Sequence, residues 1–207
     1  MNGDRLHSPA AAKNVGHITE LVCSVSPKNG TALEIASGTG QHIIKLAAVI
    51  PNLTWQPSDI DTARLNSIVS WSFEKQLPNL LPPIKLDVTD EGWSALCPNQ
   101  DLILLVNLLH LVSESEAKVI IDGISKSLMP GGRCVIYGPF MRDGFLTSDG
   151  DKCFHQSLVE ADPDIGYKDD KWMLDMFQNY NLEIVKIANM PANNLAFVIE
   201  KNHLKHS

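Results

Sequence analysis

Between residues 34 and 40 the chain reads Glu34-Ile35-Ala36-Ser37-Gly38-Thr39-Gly40, an acid at the end of an apolar run followed by small residues. Small residues between a strand and a helix let the backbone approach a ligand beside a helix N-terminus. A tight turn with no ligand has the same composition, so other residues must decide. A dinucleotide fingerprint starting at Gly38 would need glycine where Ile43 stands. A phosphate loop would need lysine at Gln41, and a nucleophile elbow on Ser37 would need glycines at Ile35 and Thr39. What remains is Glu34, the small-x-Gly-x-Gly turn, Asp59 lying 19 residues beyond Gly40, and Asp87 after the next short apolar run. A carboxylate at the carboxyl edge of a sheet, one strand over, can accept hydrogen bonds from both ribose hydroxyls. Asp87, in the equivalent place on the following strand, could accept from an adenine amino group. Each acid alone suits a cap or a solvated loop. Three after successive strands, beside a glycine turn, favour a nucleoside site.

Elements that position these residues are legible as alternating strands and helices, the pattern of a parallel sheet with crossover helices. A first helix is expected from Ser8-Pro9, burying Ile18, Leu21, Val22 and Val25 and ending over Pro27 to Gly30. Strands are expected at Thr31 to Ala36, Leu53 to Ser58, Ile84 to Asp87, Asp101 to Val106 and Arg133 to Gly138. Between them, a helix from Gln41 would bury Ile43, Ile44, Ala47 and Ile50, and one over Thr62 to Lys75 would bury Leu65, Ile68 and Val69. Ser113 and Glu116 form a capping box before the stripe Val119, Ile120, Ile124 and Leu128, which Pro130-Gly131-Gly132 closes. From 139 to 170 the pattern dissolves into Gly, Asp and Pro, suggesting an irregular insertion over the sheet. A short helix over Lys171 to Asn179 precedes strands at Leu182 to Ala188 and Leu195 to Glu200, whose six-residue connection requires an antiparallel pair. The expected fold is a seven-stranded, mostly parallel sheet with one reversed strand and helices on both faces.

The chain has 207 residues, a length suited to one domain, with 44% hydrophobic and 20% charged residues, which excludes disorder and fibrous repeats. Its 17 basic and 24 acidic residues give a charge of −7, which disfavours a broad nucleic-acid footprint. Cys23, Cys97, Cys134 and Cys153 have no metal or redox spacing and read as reduced packing residues of a cytoplasmic protein. No His/carboxylate set has metal-ligand spacing, so no metal is expected. Met1 to Arg5 lacks a signal-peptide core, and Leu102 to Val112 is too short for a membrane span.

Glu34-x-Ala36-x-Gly38-x-Gly40, the acids at 59 and 87, and Leu128-Met129-Pro130-Gly131-Gly132 together resemble the class I S-adenosylmethionine-dependent methyltransferases over about residues 28–138. A narrower likeness rests on Ser8-Pro9-Ala10-Ala11-Ala12-Lys13-Asn14, Trp55-Gln56-Pro57-Ser58-Asp59, Tyr137-Gly138-Pro139-Phe140 and Met190-Pro191-Ala192-Asn193-Asn194. These segments resemble the methyltransferase-like 26 family across almost the whole chain. The resemblance implies a Rossmann-like fold that binds S-adenosylmethionine. Glu34 would lie near its amino group, Gly38 and Gly40 beneath it, Asp59 at the ribose, Asp87 at the adenine end, and Asn107 at the methionine portion. Ala36 stands where the general pattern has glycine, and is expected to keep negative φ. The segment 1–27, with Arg5, Lys13 and Asn14, would close over the site, although a solvated helix face suits Lys13 equally.

Methyl transfer from a sulfonium is an in-line displacement, and a base is needed only when the acceptor must lose a proton. The acceptor is expected at the carboxyl ends of the fourth and fifth strands, beneath the 139–170 insertion, among His110, Tyr137, Phe140, Thr147, His155, Asn193 and Asn194. His110 and Tyr137 are the candidate catalytic residues, although a backbone-bonded histidine in an apolar run is an equal reading of His110. Phe140, His155, Asn193 and Asn194 are the candidate acceptor contacts. His42 could face the cofactor, although a helix-surface role suits it better, and Trp71 and Trp93 read as core or as cavity walls. After the fourth strand the chain lacks the Asn/Asp-Pro-Pro-aromatic turn of exocyclic-amine methyltransferases, and it has no Pro-Cys nucleophile. A small-molecule acceptor is therefore expected, with the protein acting as monomer or homodimer. The alternatives are a non-catalytic S-adenosylmethionine-binding protein that works through a partner, and a nicotinamide oxidoreductase, which the Ile43 mismatch weakens.

Overall fold

The centre of the sheet forms where the chain is apolar on both faces, as strands covered by helices on each side must be. The computed structural model describes residues 5–203; the polar start at residues 1–4 lies outside them. The order is α1 (Pro9–Val25), β1 (Gly30–Ile35), α2 (Gln41–Val49), β2 (Leu53–Asp59), α3 (Thr62–Lys75), β3 (Ile84–Lys85), β4 (Gln100–Val106), α4 (Glu114–Ser127) and β5 (Leu128–Gly138). Then follow β6 (Phe140–Met141), α5 (Asp149–Ala161), β7 (Lys168–Asp169), α6 (Asp170–Asn179), β8 (Leu182–Asn189) and β9 (Leu195–Lys201), with 3-10 turns at Trp93–Leu96 and Leu109–Leu111.

Seven strands run in the order β3-β2-β1-β4-β5-β9-β8, and β6 pairs β7 apart from them. The pairs β1–β2, β1–β4, β2–β3 and β4–β5 are parallel, whereas β9 runs antiparallel to both β5 and β8. The single reversed strand therefore lies inside the edge strand β8. Alternate residues feed two cores. Leu33, Ile35, Ile103, Leu105, Cys134 and Ile136 join Ile120, Ile124 and Phe177 on one face. Ala32, Leu102, Leu104 and Val135 join Val22, Ile43 and Ile68 on the other.

Several expectations need correction. Residues 139–170 are not irregular: α5 occupies thirteen of them, capped by Ser148, which accepts from the Asp151 N–H. It buries no residue, which is why no apolar stripe announced it. Val69 is 50% exposed, and Ser67 takes the inward position because its hydroxyl bonds the Leu6 N–H and the Thr39 carbonyl. Leu128 begins β5 rather than ending α4: it pairs with Gln100, and the register shifts before Leu102 meets Arg133. β3 stops at Lys85, two residues before Asp87. Cys23 and Cys153 are exposed; only Cys97 and Cys134 pack internally.

α4 meets the Trp93 turn closely enough to require glycine at 123. A Cβ there would lie 2.1 Å from Trp93 Nε1. Gly123→Ala should therefore destabilise by about 1–3 kcal/mol in denaturant unfolding, despite alanine's better helix propensity. A neutral or stabilising result would show that the Trp93 ring moves freely.

Candidate active site

The carboxyl ends of β1 and β4 open into a cavity of ≈ 550 Å³. Its floor comes from Glu34, Ala36, Ser37, Gly38 and Thr39 of the first strand and turn, with His42 and Arg64 from the following helices. One wall is Val106, Asn107, His110 and Leu111; the roof and rim are Pro139, Phe154, Tyr167, Ala192 and Asn194, and Ser8, Ala10 and Ala11 from the amino-terminal segment.

The turn is built by a single carboxylate. Asp59, 1% exposed, accepts the Gly38 N–H at 2.8 Å on Oδ2 and the Asp61 N–H at 2.9 Å on Oδ1, and the Arg64 guanidinium lies 3.7 Å away. This bond holds the turn in conformations that favour glycine: φ is 58° at Gly38 and 90° at Gly40. Ala36 also adopts φ 51°, contrary to the expectation of negative φ. For an alanine that conformation costs ~1–2 kcal/mol. Asn107 takes φ 55°, tolerable for asparagine, and its N–H donates to the Tyr137 carbonyl at 2.8 Å.

Glu34 is 1% exposed, and its Oε2 has no hydrogen-bond partner. Burial raises its pKa to about 8, a hydrogen bond from Ser37 opposes the rise, and the neighbouring Asp59 adds to it. His42 is buried rather than on the helix surface: it lines the cavity, and Nε2 meets Asn14 Oδ1 at 2.8 Å. Burial lowers its pKa to about 4. His110 is 7% exposed, its rings stacked edge-on to Phe154 and Tyr167 at 5.6 and 6.3 Å. Burial, and then the charge of Lys168, lower its pKa to about 4, and Nδ1 has no partner.

Of the residues singled out from sequence, Glu34, Ala36, Gly38, His42, Asn107, His110 and Asn194 line the cavity. The rest lie around it. Gly40 caps α2 beneath the turn, where a Cβ would lie 3.0 Å from Ile68. Asp59 holds the turn from behind, and Asp87 Oδ1 accepts from the Thr89 N–H and hydroxyl at 2.9 and 2.6 Å. Lys13 is exposed, and Asn14 backs His42. Tyr137 is buried; burial raises its phenol, and hydrogen bonds from Asn14 and Asn194 oppose that. Phe140 packs in the core 5.0 Å from Phe197. His155 lines a separate cavity, where Nδ1 accepts the Tyr167 N–H at 3.1 Å. Asn193 and Thr147 both donate to Asp151, at 3.1 and 2.7 Å. Arg5 pairs with Glu74 and lies over Trp71 at 5.0 Å, so neither faces the cavity, and Trp93 is core. Among the described residues no three His, Cys, Asp or Glu converge as metal ligands.

Sequence reasoning left out Phe154, Tyr167 and Arg64. Ser148 followed three residues later by Asp151 is a capping-box spacing that signals α5, and hence Phe154. Nothing comparable marks Tyr167. Asp151 fastens this roof, accepting from Ser148 at 2.6 Å and from the Tyr167 hydroxyl at 3.2 Å. At the opposite rim, Gln41 Oε1 accepts from the Ser8 N–H at 2.5 Å and from the Thr39 hydroxyl at 2.9 Å, tying α1 to the turn.

The profile of the family described as "Protein of unknown function (DUF938)" matches residues 5–201. Among solved structures, an O-methyltransferase family protein from Burkholderia thailandensis superposes with a TM-score of 0.80 over 95% of this chain at 16% identity. Human N-acetylserotonin methyltransferase, solved with S-adenosylmethionine, gives 0.76 over 94% at 14% identity. This chain spans 57% and 53% of those two proteins, a little over half of each. YcgJ from Bacillus subtilis, with a TM-score of 0.71 over 93% of this chain at 12% identity, is covered over 99% of its length. The fold is that of the Rossmann-like methyltransferases.

Two stability measurements check this geometry. Ala36→Gly should raise stability by roughly 1 kcal/mol in urea unfolding by relieving the left-handed alanine; a loss would mean that residue 36 is unstrained. The buried titrating groups fix the pH dependence. Folded His42 and His110 bind fewer protons than the unfolded chain between pH 4 and 6.5, so their stabilisation is full above 6.5 and is lost as pH falls toward 4. Glu34, raised, does the reverse, removing stability as pH climbs from 4.5 to about 8. Each contributes a slope of up to about 1.4 kcal/mol per pH unit. Glu34→Gln should flatten the decline between pH 6.5 and 8, and His42→Gln should reduce the rise below 6.5. Unfolding profiles identical to the parent would place these side chains in water.

Proposed function

We propose that this chain, which belongs to the DUF938 family, binds S-adenosylmethionine in the cavity above β1 and β4 and transfers its methyl group to a small-molecule acceptor. Glu34 carries the reading. A buried carboxyl with an unpartnered oxygen at a cavity floor costs ~1–3 kcal/mol until a donor meets it. The ammonium of a methionine moiety is such a donor. The turn fits as well: a Cβ added at Gly38 would meet nothing closer than the Ala36 carbonyl at 4.0 Å, so the backbone there faces open space. N-acetylserotonin methyltransferase and PigF, solved with S-adenosylmethionine and S-adenosylhomocysteine respectively, share the fold. The resemblances to class I methyltransferases and to the methyltransferase-like 26 family lead to the same activity.

When bound, the cofactor supplies a methyl carbon activated by its sulfonium. Glu34 would hold the amino group, Gly38 and Thr39 would pass beneath, and Asn107 would meet the methionine portion. Asp59 would serve the ribose with the lone pairs its two amide bonds leave free, and Asp87 the adenine end. His110, uncharged at neutral pH, would hydrogen-bond the acceptor through its one N–H and orient it for in-line attack. Tyr137, bonded to Asn14 and Asn194, supports that wall from beneath. Lys13, Phe140, His155 and Asn193 act, on this reading, from outside the contact layer. The chain is taken as one domain, with 5–27 and 139–170 closing the site, working in the cytoplasm as monomer or homodimer on a metabolite rather than on nucleic acid. Among the described residues no helix is long and apolar enough to cross a membrane.

Calorimetry with S-adenosylmethionine and S-adenosylhomocysteine tests the reading. Both should bind, and Glu34→Gln should weaken them by about 1–3 kcal/mol, or roughly 5- to 150-fold. Metabolite extracts supplied with labelled methyl donor should then yield a labelled product. Binding without turnover would favour the non-catalytic protein, and no binding of either compound would overturn the proposal.

A further inference from the structure

Lys168 is 5% exposed, and among the described residues it forms no ion pair. Its ammonium donates instead to the Val112 carbonyl at 2.6 Å and the Gly166 carbonyl at 3.0 Å. The Gly166 N–H donates in turn to the His110 carbonyl at 3.1 Å. One side chain on β7 thus clamps the turn that carries His110 to the segment that carries Tyr167. Burying a charge without a counter-charge is costly, and its field falls off slowly where water is excluded.

The groups facing this ammonium leave it incompletely neutralised. Lys168 lines the separate His155 cavity together with Glu114 and Asp164, and Tyr167 divides that cavity from the candidate one. Neither carboxylate pairs with the ammonium directly, and Glu116 of α4, which also acts on it, is already occupied by the Ser113 N–H and hydroxyl at 2.7 and 2.8 Å. Burial, and then the Lys168 charge, lower the pKa values of both His110 and His155. Asp151 lies beyond, on the Tyr167 hydroxyl. Within the candidate cavity the one lining carboxylate is Glu34, on β1; the wall of His110, Phe154 and Tyr167 has none.

We infer that Lys168 is a specificity-determining residue of the cavity: it positions the His110 turn and sets a positive potential behind the His110–Tyr167 wall, so that the group received there carries an anionic oxygen or sulfur rather than an ammonium. The inference rests on the methyl-transfer reading for its meaning, since that group would be the acceptor. Its physical content concerns the ligand-free wall alone. Lys168 touches no reacting atom and acts through field and position.

Benzoate and benzylamine, similar in shape and opposite in charge, test it by calorimetry at neutral pH, with and without S-adenosylhomocysteine. The parent protein should bind benzoate at least about tenfold more tightly than benzylamine. Lys168→Met should abolish that preference, and Lys168→Arg should keep it. In NMR titrations of the ligand-free protein, the His110 imidazole should protonate at higher pH in Lys168→Met and near its parent value in Lys168→Arg. A purely structural tether would leave the charge preference in place. Equal binding of the two probes by the parent protein, failure of benzoate to bind, or a folded Lys168→Met that keeps the preference would each overturn the inference. Should Lys168→Met not fold, the parent comparison and the Arg variant still decide. Failure of S-adenosylhomocysteine to bind would overturn the proposed function but leave these readouts intact.

Discussion

The site hangs on the hydrogen bond from the Gly38 N–H to Asp59. A strand that must turn at once into a helix leaves several amides without partners, and buried amides must find them. Asp59 on the neighbouring strand gives one oxygen to the Gly38 N–H and keeps the other on the Asp61 N–H just beyond its own strand, so the end of β1 is held to the end of β2 by a buried carboxylate as well as by ladder bonds. Ser37 and Ser58 extend this lock: the Ser37 N–H donates to the Ser58 carbonyl at 2.8 Å, and both hydroxyls donate to the Glu34 carbonyl. With the Glu34 backbone so committed, its side chain is driven to the cavity floor, where Asp59 and the apolar surroundings work against its ionisation. The strain at Ala36 follows from the same lock, because the turn is over-determined by bonds on either side of it.

Much of this was legible because it depends on short-range chemistry. The strand-to-helix turn, the capping box at Ser113 and the helix start at Ser8 are written in local residue types, and each stands where those types require. The central strands β1, β4, β5 and β9 were legible because burial on both faces makes them largely apolar runs, whereas the edge strand β8 is mostly exposed. The side-chain geometry was not. Asp59 can be placed at the edge of β2 from sequence, but whether its oxygens face a ligand or a backbone amide depends on where Gly38 comes to rest. His42 reads as a surface residue, since polar residues usually are; its burial follows from Asn14 arriving on a helix 28 positions earlier.

The roof was hardest to read for a related reason. Hydrophobic periodicity reports burial, and α5 buries nothing, so its only local signal is its cap. It is held by polar contacts that converge on Asp151, drawn from three separate stretches of chain. Such an element takes its place from its neighbours, and no window of sequence contains them all.

Floor and roof therefore differ in kind. Ile35, Leu104, Leu105 and Ile136 are wholly excluded from solvent, so the strand ends beneath the cavity are fixed by dense packing that resists small displacement. Phe154, by contrast, reaches the cavity from a helix with no buried residue and is itself 43% exposed. Regions with few buried apolar contacts open at low free-energy cost, whereas core strands open only with the whole domain. A molecule entering this cavity would thus meet a rigid, polar floor beside Glu34 and an aromatic cover able to yield without disturbing it. The clamp by Lys168 sits at the junction of the two, joining Val112, which follows the rigid β4, to Gly166, which belongs to the cover. That placement ties the His110 turn to the ordered floor while its ring packs edge-on against Phe154 of the cover.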